Sequence, residues 1–469
     1  MRTISWAAML LFATVLSGEC ARAQSQNQSQ SQSQSQNQGQ EQEVAVRASV
    51  TATYSDNPTR APITGQSATA LDGLVGLTIA HQSPLLYVDA DMAELQRAYV
   101  QGHLPSETIP HGYLNLLAGP PGGLLTWTVM DSFGQISSEP FEALVAPDRQ
   151  NINVLSTGPN LRLPLDSHDH FDLEGRYGLD SFSDTTLNNR SYNGQAGFTH
   201  DIASASQVGL VYSYQRIDFR NSALNAAEIQ EAYAKYSLAG ARTYVVLEAG
   251  VDQLSQGAIT RQHIAHVLAL LQRHLTERLT FEAAYRNGYT HTGSEFVAAS
   301  RDGFTTGTDQ NVQGLAQPYK ESEGYAKLVR DVGRLLGAIE VSASEETYLG
   351  QPVFDRRVVS SNLEGDYRLS STFYLNFRAG YWRERFPNTG AEASSVDASV
   401  GLSHKLGRSL LLSLLAEHIK GSGSAFNGGF TENRAVLALA WAPGAQRLLR
   451  VYDPSAPFRF YDRPVLPPH

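Results

Sequence analysis

Apolar and polar side chains alternate one by one along most of this chain. Between Ser371 and Arg383 the odd positions read Phe373, Leu375, Phe377, Ala379 and Tyr381. The even positions read Thr372, Tyr374, Asn376, Arg378 and Gly380. Further on, Val396, Ala398, Val400 and Leu402 alternate with Ser395, Asp397, Ser399, Gly401 and Ser403. Successive side chains of a strand point to opposite faces, so each segment carries one apolar and one polar face. The same period recurs from Val44 to Tyr54, Leu71 to Ala80, Leu85 to Tyr99, Ile109 to Ala118 and Leu124 to Ser132. It sharpens after Asn151, where Phe171, Leu173, Tyr177 and Leu179 oppose Asp172, Glu174, Arg176 and Asp180. Arg261 to Leu275 is Leu-rich and compatible with helix, but its place between a long loop and a short turn favours a strand.

The connections follow a rule of their own. Short turns are expected at Ile202–Ala205, Ala239–Arg242, Leu275–Arg278, Val332–Arg334, Leu369–Thr372 and Leu406–Arg408. Between them lie longer polar stretches: Ser183–Arg190, Arg220–Ala227, Gln256–Arg261, His291–Pro318, Tyr348–Asp355, Pro387–Ala393 and Gly421–Thr431. Tight turns at one end and long loops at the other are the habit of outer-membrane barrels, whereas a Greek-key sandwich has no reason to alternate them. The expected fold is all-β: a transmembrane antiparallel up-and-down β-barrel of about 18–20 strands over residues 44–442. Its last strand should run from Asn433 to Trp441.

Composition refines the address. No run of eighteen apolar residues occurs beyond the N-terminus, which argues against helical spans. Arg2, the apolar Trp6–Val15 and Ala21-Arg22-Ala23 read as a secretory signal peptide over residues 1–23. Cys20 suggests lipidation, but Glu19 stands where a lipobox needs a small residue, so ordinary cleavage before Gln24 is expected. The remaining chain then has no cysteine and carries 34 basic and 45 acidic side chains. That balance argues against nucleic acid as a partner. Residues 24–43 are almost wholly Gln, Ser and Asn and read as a disordered linker. Residues 443–469, rich in Pro and Arg, read as a periplasmic tail.

Candidate chemistry lies on the polar faces. Asp172, Glu174, Arg176, Asp180, Glu248, Asp252, Glu282, Arg286, Glu340, Glu364, Asp366, Arg368 and Arg378 are the pore-lining candidates. Rings of charge set selectivity and can hydrogen-bond sugar hydroxyls; they can equally pair across strands and merely satisfy a wet interior. Tyr374 and Trp382, on an otherwise polar face, are candidates for stacking on sugars. Tyr54, Tyr87, Tyr99, Tyr289, Phe386 and Trp382 fall near strand ends, where aromatic girdles sit. The Gly- and Thr-rich stretch His291–Pro318 is the candidate constriction. Asp166-Ser167-His168-Asp169-His170 has the composition of a metal cluster, but two local imidazoles fall short of a zinc set and a tight turn is the simpler reading. No Gly-x-Ser-x-Gly or His-Glu-x-x-His motif is present, and His200, His263, His266, His274, His404 and His418 are dispersed. No catalytic residue, metal or cofactor is therefore expected.

Three stretches carry a family resemblance. They are Tyr54-Ser55-Asp56-Asn57 after the first strand, Asp148-Arg149-Gln150-Asn151-Ile152-Asn153-Val154, and the closing Glu432-Asn433-Arg434-Ala435-Val436-Leu437-Ala438-Leu439-Ala440-Trp441. The chain resembles the outer-membrane β-barrel family associated with the exosortase/PEP-CTERM system and exopolysaccharide gene clusters, over about Val44 to Pro443. The resemblance implies an outer-membrane location, surrounding lipid, and a link to polysaccharide and periplasmic export components. That family has no established catalytic residues to carry over. A solute-uptake porin and a structural or adhesin-like barrel without transport are the alternatives.

Overall fold

The computed structural model describes residues 42–60, 66–101, 104–120, 122–137, 149–183, 185–221, 225–257, 259–294, 296, 318–349, 351–424 and 429–442. The expected signal peptide, nearly all of the Gln/Ser stretch and the tail lie outside them. The alternating segments form twenty strands. The first ten are β1 (Gln42–Ser55), β2 (Ala68–Gln82), β3 (Leu86–Gln101), β4 (Glu107–Ala118), β5 (Leu125–Ser137), β6 (Arg149–Pro164), β7 (Asp169–Phe182), β8 (Asn189–Ala203), β9 (Ser206–Phe219) and β10 (Ala227–Ala239). The second ten are β11 (Thr243–Gln256), β12 (Ile259–Thr276), β13 (Leu279–Thr290), β14 (Tyr319–Val332), β15 (Leu335–Tyr348), β16 (Arg356–Arg368), β17 (Phe373–Phe386), β18 (Ala391–Lys405), β19 (Leu410–Ser422) and β20 (Phe430–Trp441). β1 starts at Gln42, inside the stretch expected as linker. Each strand pairs antiparallel with the next, and β20 pairs with β1 from Ala48↔Trp441 to Ser55↔Arg434. The sheet is thus a closed barrel.

The ambiguous Leu-rich segment is a strand within β12. The expected long connection at Gln256–Arg261 is instead a tight hairpin in which Gln256 pairs with Ile259 and Gly257 has φ 58°. Glycine accepts that left-handed backbone without strain, which lets two strands turn back in so few residues. The other short turns are found where expected, and their strand ends mark the periplasmic end of the barrel.

The closing contact is reinforced at its outer end. Asp56 accepts from the Asn433 backbone N–H at 2.7 Å and from its Nδ2 at 2.6 Å, and the Ser55 hydroxyl donates to Glu432 Oε1 at 2.7 Å. The two Asn433 donors hold the Asp56 carboxyl below its usual range. The β4–β5 ladder is the shortest, running only from Gly112↔Phe133 to Ala118↔Trp127. Above it Pro110 has no N–H to give, and the Gln135 amide bridges the gap by donating to the Thr108 carbonyl at 3.1 Å.

One parity of every strand faces outward and is rich in aliphatic side chains, among them Val75 (64% exposed), Leu210 (64%) and Leu414 (57%). In water such a band would be unstable; in hydrocarbon it is the favourable surface. A closed, even-stranded barrel with this exterior is an outer-membrane protein of the Gram-negative type. The inward parity is polar over most of its height. Near the outer mouth it carries two apolar clusters, one of Ile136, Ile152, Val154, Phe182 and Phe296, the other of Ile217, Ala227, Ile229, Leu254 and Tyr289.

The two parities should answer differently to charge. Val341→Arg on the outer face of β15 should cost about 2–4 kcal/mol near the bilayer midplane. Ser342→Arg, one residue on and facing inward, should cost about 1 kcal/mol, the worth of its hydrogen bond to Ser360. Denaturant unfolding in phospholipid bilayers measures both, and equal costs would contradict the assigned faces.

Candidate functional site

A barrel of twenty strands lies between those that leave an aqueous channel and those whose lumen is plugged, so what fills the interior decides what can pass. Strand register places all the charged candidates on the inward parity. Glu364 lies opposite Arg378, Asp366 opposite Asn376, and Arg368 opposite Tyr374. Most are paired. Arg162 Nε donates to Asp172 at 2.8 Å, Arg176 contacts Glu174 at 3.1 Å, Arg286 contacts Glu321 at 3.1 Å and Lys327 contacts Glu340 at 3.2 Å. Glu282 accepts from Gln272 at 3.1 Å, and Arg378 approaches Asp397 at 3.6 Å. The lumen is therefore a mesh of cross-strand ion pairs. Single charges are largely neutralised by partners on the next strand, which the sequence alone could not pair.

The aromatic candidates divide. Tyr54 faces out, 48% exposed, as a girdle residue would. Tyr87, Tyr99 and Trp382 share the inward parity, while Tyr289 (6%) and Phe386 (2%) are buried. The girdle expectation fails for Tyr87, Tyr99, Trp382 and Phe386 because proximity to a strand end says nothing about parity, and for Tyr289, on the same parity as the outward Tyr285, because it is buried against the β9–β11 cluster. Tyr374 and Trp382 both face the lumen from β17. Lys405 Nζ lies over the Tyr374 ring at 5.2 Å. The Trp382 indole Nε1 is buried without a hydrogen-bond partner among the described residues.

The first residues of the β13–β14 connection turn into the barrel. Tyr289 already leans on the β9–β11 cluster. His291 follows, 7% exposed, with Nδ1 3.7 Å from Asp180 Oδ2 on β7 and Nε2 2.8 Å from the Ser294 hydroxyl. Burial pushes its imidazole toward the neutral form, which lets Nε2 accept from Ser294 while Nδ1–H faces Asp180. A Cβ on Gly293 would stand 2.3 Å from Asp180 Oδ2, so a side chain there would have to displace the Asp180 carboxylate. Phe296 then seals fully into the cluster of β5, β6 and β7. The chain has crossed from β13 to the inner face of β5–β7 within a few residues. The described start of the stretch expected as a constriction thus lies inside the barrel; residues 297–317 lie outside the described residues.

The Asp166–His170 stretch is a turn. Asp166 Oδ1 accepts from the backbone N–H of His168 at 2.7 Å and of Asp169 at 2.8 Å, which holds its carboxyl below the usual range. The dispersed histidines are dispersed in space too: His200, His263, His404 and His418 share the outward parity of their strands. A convergence that the sequence did not show involves Glu231, Asp252 and His266, brought side by side on β10, β11 and β12. Only the register of three strands reveals it, since the residues are 14 or more positions apart.

No family model and no curated protein matches this chain. Among solved structures it is similar to the FrpB iron transporter from Neisseria meningitidis, at 8% identity and a TM-score of 0.42, over 85% of this chain and 81% of that one. It is also similar to the siderophore receptor PiuA from Acinetobacter baumannii, at 9% identity and a TM-score of 0.40 over 87% and 82%. A loop-deletion mutant of OmpT, an outer membrane protein of Vibrio cholerae, aligns at 10% identity and a TM-score of 0.35 over 86% and 99%. Likeness at this level transfers nothing of what those proteins handle.

If the inward-turned segment narrows the lumen, loosening it should widen the path. Gly293→Val and Phe296→Asp should each raise single-channel conductance several-fold in planar bilayers. Conductance unchanged in both, with folding intact, would remove the segment from the permeation route.

Proposed function

We propose that this barrel is an outer-membrane pore or assembly element for polar, polyhydroxylated material, serving export of surface polysaccharide. The observation that carries this reading is the interior: a lumen lined over most of its height by hydrogen-bonding and paired ionic groups, inside an apolar exterior. Paired charges present donors and acceptors to sugar hydroxyls with little net field. Tyr374 and Trp382 add two aromatic faces about 27 Å apart along one strand, at roughly 3.4 Å per residue. The resemblance to barrels of exopolysaccharide clusters supports the substrate class. Uptake of small solutes is the second reading, supported by the inward position of His291 and Phe296 near the outer mouth.

The candidate wall residues comprise nine carboxylates and four arginines. A pore lined by them should prefer cations, which reversal potentials in a salt gradient would measure. A strain lacking the protein should lose extracellular polysaccharide, and Tyr374→Ala with Trp382→Ala should reduce it while leaving the barrel folded. Normal secretion in the deletion strain, with conductance intact, would leave solute uptake as the function. A barrel that conducts nothing would favour a structural role.

A further inference from the structure

Beneath the apolar β9–β11 cluster, the inner wall holds a compact set of ligand atoms. Glu231 on β10 stands directly opposite Asp252 on β11. His266 on β12 reaches Asp252 Oδ1 through Nδ1 at 2.9 Å, and its Nε2 lies 3.4 Å from Glu248 Oε2. Glu231, Asp252 and His266 each offer one ligand atom within 4.8 Å of the others.

Three further observations separate this set from an ordinary ion-pair network. First, Asp252 is fully buried and its Oδ2 has no hydrogen-bond partner among the described residues, an expense that a native interior rarely carries. Second, two carboxylates facing each other across strands repel, and the hydrogen bond that Glu231 accepts from Ser213 at 2.8 Å does nothing to separate them. Third, the imidazole is held from every side. Its ring stacks on Tyr233 at a centroid distance of 4.3 Å and an interplanar angle of 8°. Gly250 lies between the two in register, and a Cβ there would stand 2.6 Å from Tyr233 Cα and Cβ. Glu248, itself 3.3 Å from Lys235 Nζ, occupies the far nitrogen. A carboxylate behind a histidine whose other nitrogen faces oxygen donors is the outer-shell arrangement of metal sites.

We propose that Glu231, Asp252 and His266 bind one divalent transition-metal ion, with Glu248 as the outer partner that orients His266. One imidazole and two carboxylates suit Zn2+ or Mn2+ better than Mg2+ or Ca2+, which take oxygen ligands. Around an ion with bonds of about 2.1 Å, tetrahedral ligands lie roughly 3.4 Å apart, so modest side-chain rotations close the set. In the metal-bound form Nδ1 of His266 would offer its lone pair to the ion and the ring hydrogen would sit on Nε2, facing Glu248. The inference does not depend on what crosses the lumen.

The test is calorimetric titration of the chelator-treated full chain, folded in detergent, with ZnCl2. One ion per barrel is expected. Asp252→Asn, Glu231→Gln and His266→Gln should each weaken binding at least tenfold, on the scale of lost ligands. His200→Gln, in the exposed pair with Asp169, should leave it unchanged. Each variant is first checked for the heat-dependent gel migration of a folded barrel. Absence of saturable binding by the wild type would overturn the proposal. Undiminished affinity in folded Asp252→Asn and His266→Gln would mark adventitious binding only.

Discussion

Hydrocarbon offers no hydrogen bonds, and this single constraint organises the molecule. Every backbone N–H and C=O inside the membrane must find its partner in the chain itself, and a sheet achieves that only by closing. The pairing of β20 with β1 is therefore the condition under which the other ladders can exist in lipid. It is secured twice: by the ladder from Ala48↔Trp441 to Ser55↔Arg434, and by the side chains of Asp56, Asn433, Ser55 and Glu432 above it. Where a ladder stops short, as between β4 and β5 above Gly112, a side-chain amide stands in for a missing backbone donor.

Closure also settles what the two faces do. The outward parity meets lipid and can be aliphatic without further constraint. The inward parity must satisfy its own polar groups in a narrow wet space, and cross-strand ion pairs are how it does so. That leaves few open charges in the wall. The departures then become informative: an apolar mouth that receives Phe296, and a buried carboxylate oxygen on Asp252 without a partner. Both lie on the inner face, and both have a neighbouring strand arranged around them.

Strand positions were legible in the sequence because a period of two is a property of local residues. β12 could be assigned despite its helix-favouring leucines because a long polar connection before it and a short turn after it fit the alternation of connections. Parity was legible wherever alternation was clean, as in β7 and β17. It failed at Phe386, near the rim, where being close to a strand end does not determine the face, while Tyr289 shares the outward parity of Tyr285 and is buried by packing on the β9–β11 cluster. The hairpin at Gly257 was misjudged because a polar segment resembles a loop whether or not it is paired. The contacts that define the candidate sites were not legible at all. Glu231 meets Asp252, and Asp180 meets His291, only through registers accumulated strand by strand, and nothing in the separate segments encodes that sum.

The β1–β20 contact joins residues 377 positions apart in the chain. Such a pairing can form only after all intervening hairpins exist, so the barrel has no early nucleus that contains its own closure. Until then the polypeptide must be carried with twenty two-faced strands unpaired or half paired, a state prone to association with itself. Assembly of this protein is thus limited by topology more than by local propensity, and its final step is the meeting of its first strand with its last.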